Sequence, residues 1–268
     1  MIRQAAVAGR FYPGNAAELT KTIRELLGSP ADPVRVLGAV IPHAGYMYSG
    51  HVAGAVYSKI EIPAKTIVLC PNHTGLGLPL SIMRSGSWDT PLGRLEIDEE
   101  LSSRLMAACP LLMDDEMAHR FEHALEVQLP FMQYLRGSSV RFVPITLGTG
   151  RWEDLEMLGS AIAQVVRETD PSILIIASSD MNHYESDAIT RVKDRKAIDQ
   201  VLRRDPRGLY DVVRREAISM CGFGPATTML VAANQLGAST SELVRYATSG
   251  DTSGDFSHVV GYAGIIVQ

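Results

Sequence analysis

The chain has 268 residues, of which 46% are hydrophobic and 21% charged, enough apolar material for one large core, and it reads as one domain over residues 1–268. A formal net charge of −5 without any Lys/Arg run excludes the electrostatic footprint of a nucleic-acid or anionic-membrane binder. The N-terminal stretch lacks the apolar core of a signal peptide and no apolar run approaches the roughly 20 residues that span a bilayer, so a cytosolic location is expected.

The predicted elements alternate along the chain. Short apolar runs at 34–41, 66–70, 140–147, 172–178, 243–248 and 258–267 are rich in Val and Ile, as suits strands buried on both faces. Helical patterns lie between them at 49–59, 98–108, 119–136, 152–168, 186–203, 206–217 and 224–236. Asp205 before Pro206 reads as an N-cap followed by proline at the first helical position, and Gly237 as the stop of the helix at 224–236. Residues 81–98 break the rhythm, alternating around a Thr-Pro-Leu-Gly turn as a hairpin would. The order predicts an α/β fold: a central, mainly parallel or mixed β-sheet flanked by helices on both faces, with a small hairpin insertion beside it.

In such sheets ligands bind beyond the carboxyl ends of the strands, so polar residues that follow a buried strand are candidate site residues. His43 follows 34–41, His73 follows 66–70, and His183 follows 172–178, with Asp180 three residues before it, placed to orient a ligand or cap a turn. Any one of these histidines has an ordinary packing explanation; three at strand ends are harder to dismiss. Cys221 stands beside Gly222, Gly224 and Pro225, where tight backbone lets a ligand approach and a helix N-terminus favours the thiolate. Cys70 lies inside an apolar strand and Cys109 closes a helix before Pro110, so both read as structural. The three cysteines form neither an even set nor a close pair, which argues against a disulfide scaffold or a C-x-x-C motif.

Two imidazoles and a thiolate would make a three-ligand site with open positions, suited to zinc, ferrous iron or copper. Within HRFEHALEVQLPF (119–131), His119 and His123 are four residues apart and Glu122 adjoins His123. An exposed polar helix face explains this as well as metal binding does, and Glu122 and His123 are read as cleft residues or as supports for ligating groups.

Taken together, PHAGYMYSG (42–50), PNHTG (71–75), WDTPLG (88–93), EHALEVQLPF (122–131), SSDMNHY (178–184) and CGFGP (221–225), with AGRFYPG (8–14), resemble the Memo family in one order across nearly the whole chain. The resemblance implies a fold related to class III extradiol dioxygenases, metal ligands at His43, His73 and Cys221, and a cleft histidine at His183. Those dioxygenases carry a carboxylate where this chain has Cys221, which puts their catechol-cleaving reaction in doubt, since a thiolate is softer and more readily oxidised. SSDMNHYE and CGFGP look closer to prokaryotic members, which often accompany a radical-SAM protein in the AmmeMemoRadiSam system. A functional association of that kind is implied.

The expected function is a metal-dependent oxidoreductase of unknown small-molecule or peptide substrate. One ion, iron with copper or zinc as alternatives, would be held by His43, His73 and Cys221, while His183 moves a proton. Two other classes stay open: a zinc- or thiol-dependent hydrolase or transferase using Cys221, and a binding module that kept the cleft without its chemistry.

Overall fold

A computed structural model of the chain describes residues 1–28 and 32–268. The first half runs β1 (Ile2–Arg3), α1 (Ala16–Leu27), β2 (Gly38–Ile41), α2 (Tyr46–Tyr57), β3 (Lys65–Pro71), β4 (Leu80–Ile82), β5 (Ser87–Thr90), β6 (Gly93–Ile97) and α3 (Glu99–Ala108). There follow β7 (Met113–Asp114), α4 (His123–Glu126), α5 (Leu129–Arg136), β8 (Arg141–Leu147), α6 (Trp152–Thr169) and β9 (Leu174–Ser178). The chain ends with β10 (His183–Glu185), α7 (Asp187–Leu202), α8 (Pro206–Arg215), α9 (Phe223–Gln235), β11 (Ser241–Thr248), α10 (Gly250–Ser253) and β12 (Val259–Val267).

All twelve strands join one open sheet whose main path is β1-β5-β6-β8-β3-β9-β2-β12-β10. From β6 to β2 every neighbouring pair is parallel, while β12 runs antiparallel to β2, β10 and β11. The sheet is therefore mixed, with a parallel centre. Because strand side chains alternate, each central strand feeds two cores. Val40, Ile67 and Leu69 pack with Leu155, Ile162 and Met229 from α6 and α9 on one face. Ala39, Ile41 and Val68 pack with Leu19, Ile23 and Phe131 from α1 and α5 on the other. Burying each such aliphatic side chain contributes roughly 1.5–3 kcal/mol before the entropic cost is counted.

Three departures from the sequence reading have physical reasons. The helical pattern at 119–136 is broken: α4 is a single turn and α5 begins at Leu129 with Pro130 in its first turn, where a proline has no partner for an amide it lacks. The hairpin β5–β6 does not sit beside the sheet but belongs to it, since β6 pairs parallel with β8 through Glu96 and Ile97. Finally, α1 is an additional helix, started by Asn15, whose side chain accepts from the Glu18 amide, and followed by Gly28 at φ 66°.

The parallel centre places the chemistry. Strands β3, β9 and β2 are consecutive neighbours running the same way, so their carboxyl ends lie side by side at strand spacing, about 5 Å apart. Pro71, Ser178 and Ile41 end these strands. His73, Asp180 and His43 each follow two residues later.

Candidate metal centre

The rings of His43, His73 and His123 meet at this edge, with centroids 5.1 Å (His43–His73), 5.5 Å (His43–His123) and 4.6 Å (His73–His123) apart. One nitrogen from each lies within 4.8 Å of the others, close enough for three imidazoles to share one ion. Cys221 joins from the loop before α9, its Sγ 3.2 Å from His43 Nε2. The loop can come this close because of Gly222: a Cβ there would stand 2.4 Å from the Ser178 carbonyl oxygen and Ser179 Cβ.

Hydrogen bonds settle which ring nitrogens face the cluster. Ser178 Oγ donates its one proton to the Ala124 carbonyl at 2.6 Å and accepts from Gln128 Nε2 at 2.8 Å. His43 Nδ1, 3.1 Å from the same oxygen, must then be the donor, leaving Nε2 as an acceptor aimed at Cys221. His73 Nδ1 donates to Glu122 Oε1 at 2.9 Å, and the His73 backbone amide donates to Glu122 Oε2 at 2.6 Å. His183 Nδ1 donates to the Ser219 carbonyl at 2.8 Å, so its Nε2 is also unprotonated. Imidazoles tied through one nitrogen to oxygen present the other as a preset ligand or base.

Burial favours the neutral ring at His43, His123 and His183. Burial holds His43 well below the usual imidazole range, and the neighbouring His73 and His123 add to the depression. Burial likewise lowers His123 and His183. Burial would raise Glu122, but the His73 hydrogen bond and charge and the Ala124 amide outweigh it and keep the carboxyl below its ordinary value. Asp180 goes the other way: burial lifts it to about 6 even though the His43 and Ala44 amides donate to Oδ1. Burial and the Asp180 carboxylate also push the Cys221 thiol well up. This corrects the sequence expectation that the nearby helix N-terminus favours a thiolate; burial is the larger effect, and the S–H donates to His43 Nε2 instead.

Each sequence-predicted site residue can now be placed. His43, His73 and Cys221 stand together; Asp180 lies behind His43, its Oδ2 4.0 Å from Nε2. His183 opens β10 rather than a loop, partly exposed near the same cleft. Glu122 is fully buried behind His73 and also caps α4, while His123 projects into the cluster itself. His119 is not paired with His123: it is buried in the core, its Nδ1 3.0 Å from Thr146 Oγ1. Cys70 and Cys109 are wholly buried, as structural thiols would be.

Sequence reasoning missed how the cluster is braced. Glu126, fully buried one turn after Glu122, accepts from Arg3 Nη1 (2.7 Å), Tyr12 Oη (2.7 Å) and the amides of Ala6 (2.8 Å) and Val7 (3.0 Å). Arg3 also donates to the carbonyls of His119 and Glu122. The N-terminal segment is thereby strapped across α4, and it lays the Phe11 ring 4.7 Å from that of His123. The only signal for this was a Glu at the apolar spacing of a helix otherwise bound for the core. A cavity of about 460 Å³ beside the strap, walled by Met1, Met83, Met117 and Phe121, contains none of the clustered histidines.

A family model described as Memo-like protein matches residues 3–266. The chain belongs to the Memo family. A MEMO1 family protein of Methanopyrus kandleri is 44% identical, with 100% of this chain and 99% of that protein covered. One from Methanosarcina acetivorans is 43% identical over 100% and 99%, and one from Sulfurisphaera tokodaii 42% identical over 99% of each. The likeness to these relatives thus runs the length of the chain. Among the described residues, no helix is long and apolar enough to cross a membrane.

Proposed function

We propose that this Memo-family chain is a metal-dependent oxidoreductase whose ion is held by His43, His73 and Cys221, with His123 within reach of the same ion. The observation that carries the reading is the convergence of three imidazoles within 4.8 Å and a thiol 3.2 Å from one of them. His43 and His73 each donate through Nδ1 to an oxygen behind them and turn Nε2 toward the group. Mixed nitrogen and sulfur donors suit iron, copper or zinc; iron is the ion proposed. When bound, iron supplies one-electron chemistry and open coordination positions.

The residues around it have separable roles. Glu122 fixes the His73 ring, and Ser178, itself held by Gln128 and Ala124, fixes His43. His183, with Nδ1 anchored on Ser219 and burial keeping it neutral, holds a basic Nε2 at the cleft for moving a substrate proton. Asp180 orients the His43 loop through two backbone amides. The thiol's raised pKa argues against Cys221 as a free nucleophile, which weakens the hydrolase reading. The substrate is a small molecule or peptide, and the association with a radical-SAM protein that the resemblance implies belongs to the same proposal.

Elemental analysis of anaerobically purified protein tests it, with His43→Ala, His73→Ala and Cys221→Ala in parallel. Near-stoichiometric iron or copper lost in all three variants supports the reading. Protein that takes up no redox metal even on reconstitution overturns it.

A further inference from the structure

Two stretches of chain meet behind His183: the segment from Asp180 through β10, and the turn that leads into Cys221. They exchange hydrogen bonds at Ser219. The His183 amide donates to Ser219 Oγ at 2.7 Å, and His183 Nδ1 donates to the Ser219 carbonyl at 2.8 Å. A carbonyl oxygen only accepts, so this contact keeps the ring proton on Nδ1 and leaves Nε2 bare. Ser219 is exposed and lies between α8 and α9, so neither burial nor a helix holds its carbonyl in place.

Asn182 supplies the hold. Its side chain is fully buried, and its Oδ1 accepts from both the amide and the hydroxyl of Ser219, each at 3.1 Å. On the other side Nδ2 donates to Glu185 Oε2 at 2.7 Å and to Thr190 Oγ1 at 3.3 Å. With donors facing Oδ1 and acceptors facing Nδ2, the side-chain amide can sit only one way round. The backbone is pinned as well: the Asn182 amide donates to Asp194 Oδ1 at 2.8 Å, and its carbonyl accepts from the Gly261 amide at 2.9 Å.

We infer that Asn182 is a positioning residue for proton transfer: it holds Ser219 where the Ser219 carbonyl dictates the tautomer of His183. An imidazole left to itself favours the proton on Nε2, the nitrogen that has to be bare if His183 is to take a proton from substrate in the cleft. Asn182 overrides that preference in its sequence neighbour by way of a turn 37 residues further along. The role rests on the use of His183 proposed above, but its test needs neither metal nor substrate.

The full chain, labelled with nitrogen-15 in histidine and stripped of paramagnetic metal, is read by NMR at about pH 8, above the ordinary imidazole range. His183 is assigned by its absence from the spectrum of His183→Gln. In the wild type its proton is expected almost wholly on Nδ1, and in Asn182→Ala mostly on Nε2. Ser219→Ala, which removes one of the two bonds to Oδ1, shifts the same way to a smaller extent and serves if Asn182→Ala does not fold. Asn182→Asp separates positioning from stability: it keeps the Oδ1 acceptor but sets a carboxylate against Glu185, so the melting temperature falls while the proton stays on Nδ1. Thr190→Val, which removes only a partner of Nδ2, leaves the tautomer as it was. A wild type with the proton on Nε2 overturns the role outright, as does a tautomer unmoved in both Asn182→Ala and Ser219→Ala, or one moved as far by Thr190→Val. Metal content, measured separately, bears on the metal reading alone.

Discussion

His43 Nε2 and Cys221 Sγ are 3.2 Å apart, and the Ser178 hydroxyl on the far side of the ring dictates that the proton between them is the thiol's. A metal ion that replaces this proton is gripped by both atoms at once, which gives His43 and Cys221 a shared part in binding. His123 offers the competing third donor. The two are separated by loading the protein with cobalt(II) and reading the near-ultraviolet sulfur-to-metal charge-transfer band. The band is expected in wild type and in His123→Ala and absent in Cys221→Ser. A band missing from the wild type, with metal bound, would assign the third position to His123.

The Arg3–Glu126 pair makes no hydrogen bond to the clustered histidines yet holds α4 in place. Both side chains are nearly inaccessible, so removing the cation strands a buried carboxylate, which costs about 3–5 kcal/mol. Arg3→Met is expected to lower the free energy of urea unfolding by about that much. The double variant Arg3→Met/Glu126→Gln should recover part of it, because no uncompensated charge is left. A single-variant loss below about 1 kcal/mol would mean that the strap contributes little.

What could be read from the sequence follows the distance over which each residue acts. His43 and His73 were visible because each stands two residues beyond a Val- and Ile-rich strand, and the sheet does the rest. His123 was ambiguous because its neighbours Glu122 and Glu126 make the segment look like a solvated helix face, whereas both carboxylates are buried and find partners in His73 and Arg3. The partner of Glu126 lies 123 residues away, a separation at which no local pattern operates. Pro130 did mark the break between α4 and α5, but a proline near a helix start and a proline within a helix look alike until the preceding turn is seen. The Cys221 thiol was misjudged because helix proximity is legible in sequence and burial is not.

Asp194, on α7, is a buried carboxylate outside the cluster, accepting from the Tyr246 hydroxyl at 2.7 Å and the Asn182 amide at 2.8 Å. Burial, only partly offset by these hydrogen bonds, lifts it from 3.8 to about 7. The folded state therefore holds this proton more tightly than the unfolded chain. Stability that is fully present below about pH 4 is lost as pH rises to about 7, on the order of 2–4 kcal/mol across the window. Asp180, raised to about 6 by burial, contributes with the same sign. The depressed histidines His43, His119, His123 and His183 act with the opposite sign, their contribution growing as pH rises, so the test is a difference. In metal-free protein the melting temperature of wild type relative to Asp194→Asn should fall between pH 4.5 and 7.5; a difference that does not change with pH would mean that Asp194 does not titrate in that window.

The segment from Asp180 through β10 is held by β12: His183 pairs with Val260, the Met181 amide donates to the Gly261 carbonyl, and the Gly261 amide donates to the Asn182 carbonyl. β12 lies downstream of His43, His73 and Cys221 in the chain, so the segment that carries His183 has nothing to pair with until β12 has been made and docked against β2. The side of the proposed site assigned to proton handling therefore takes shape after the residues proposed to hold the ion are already present.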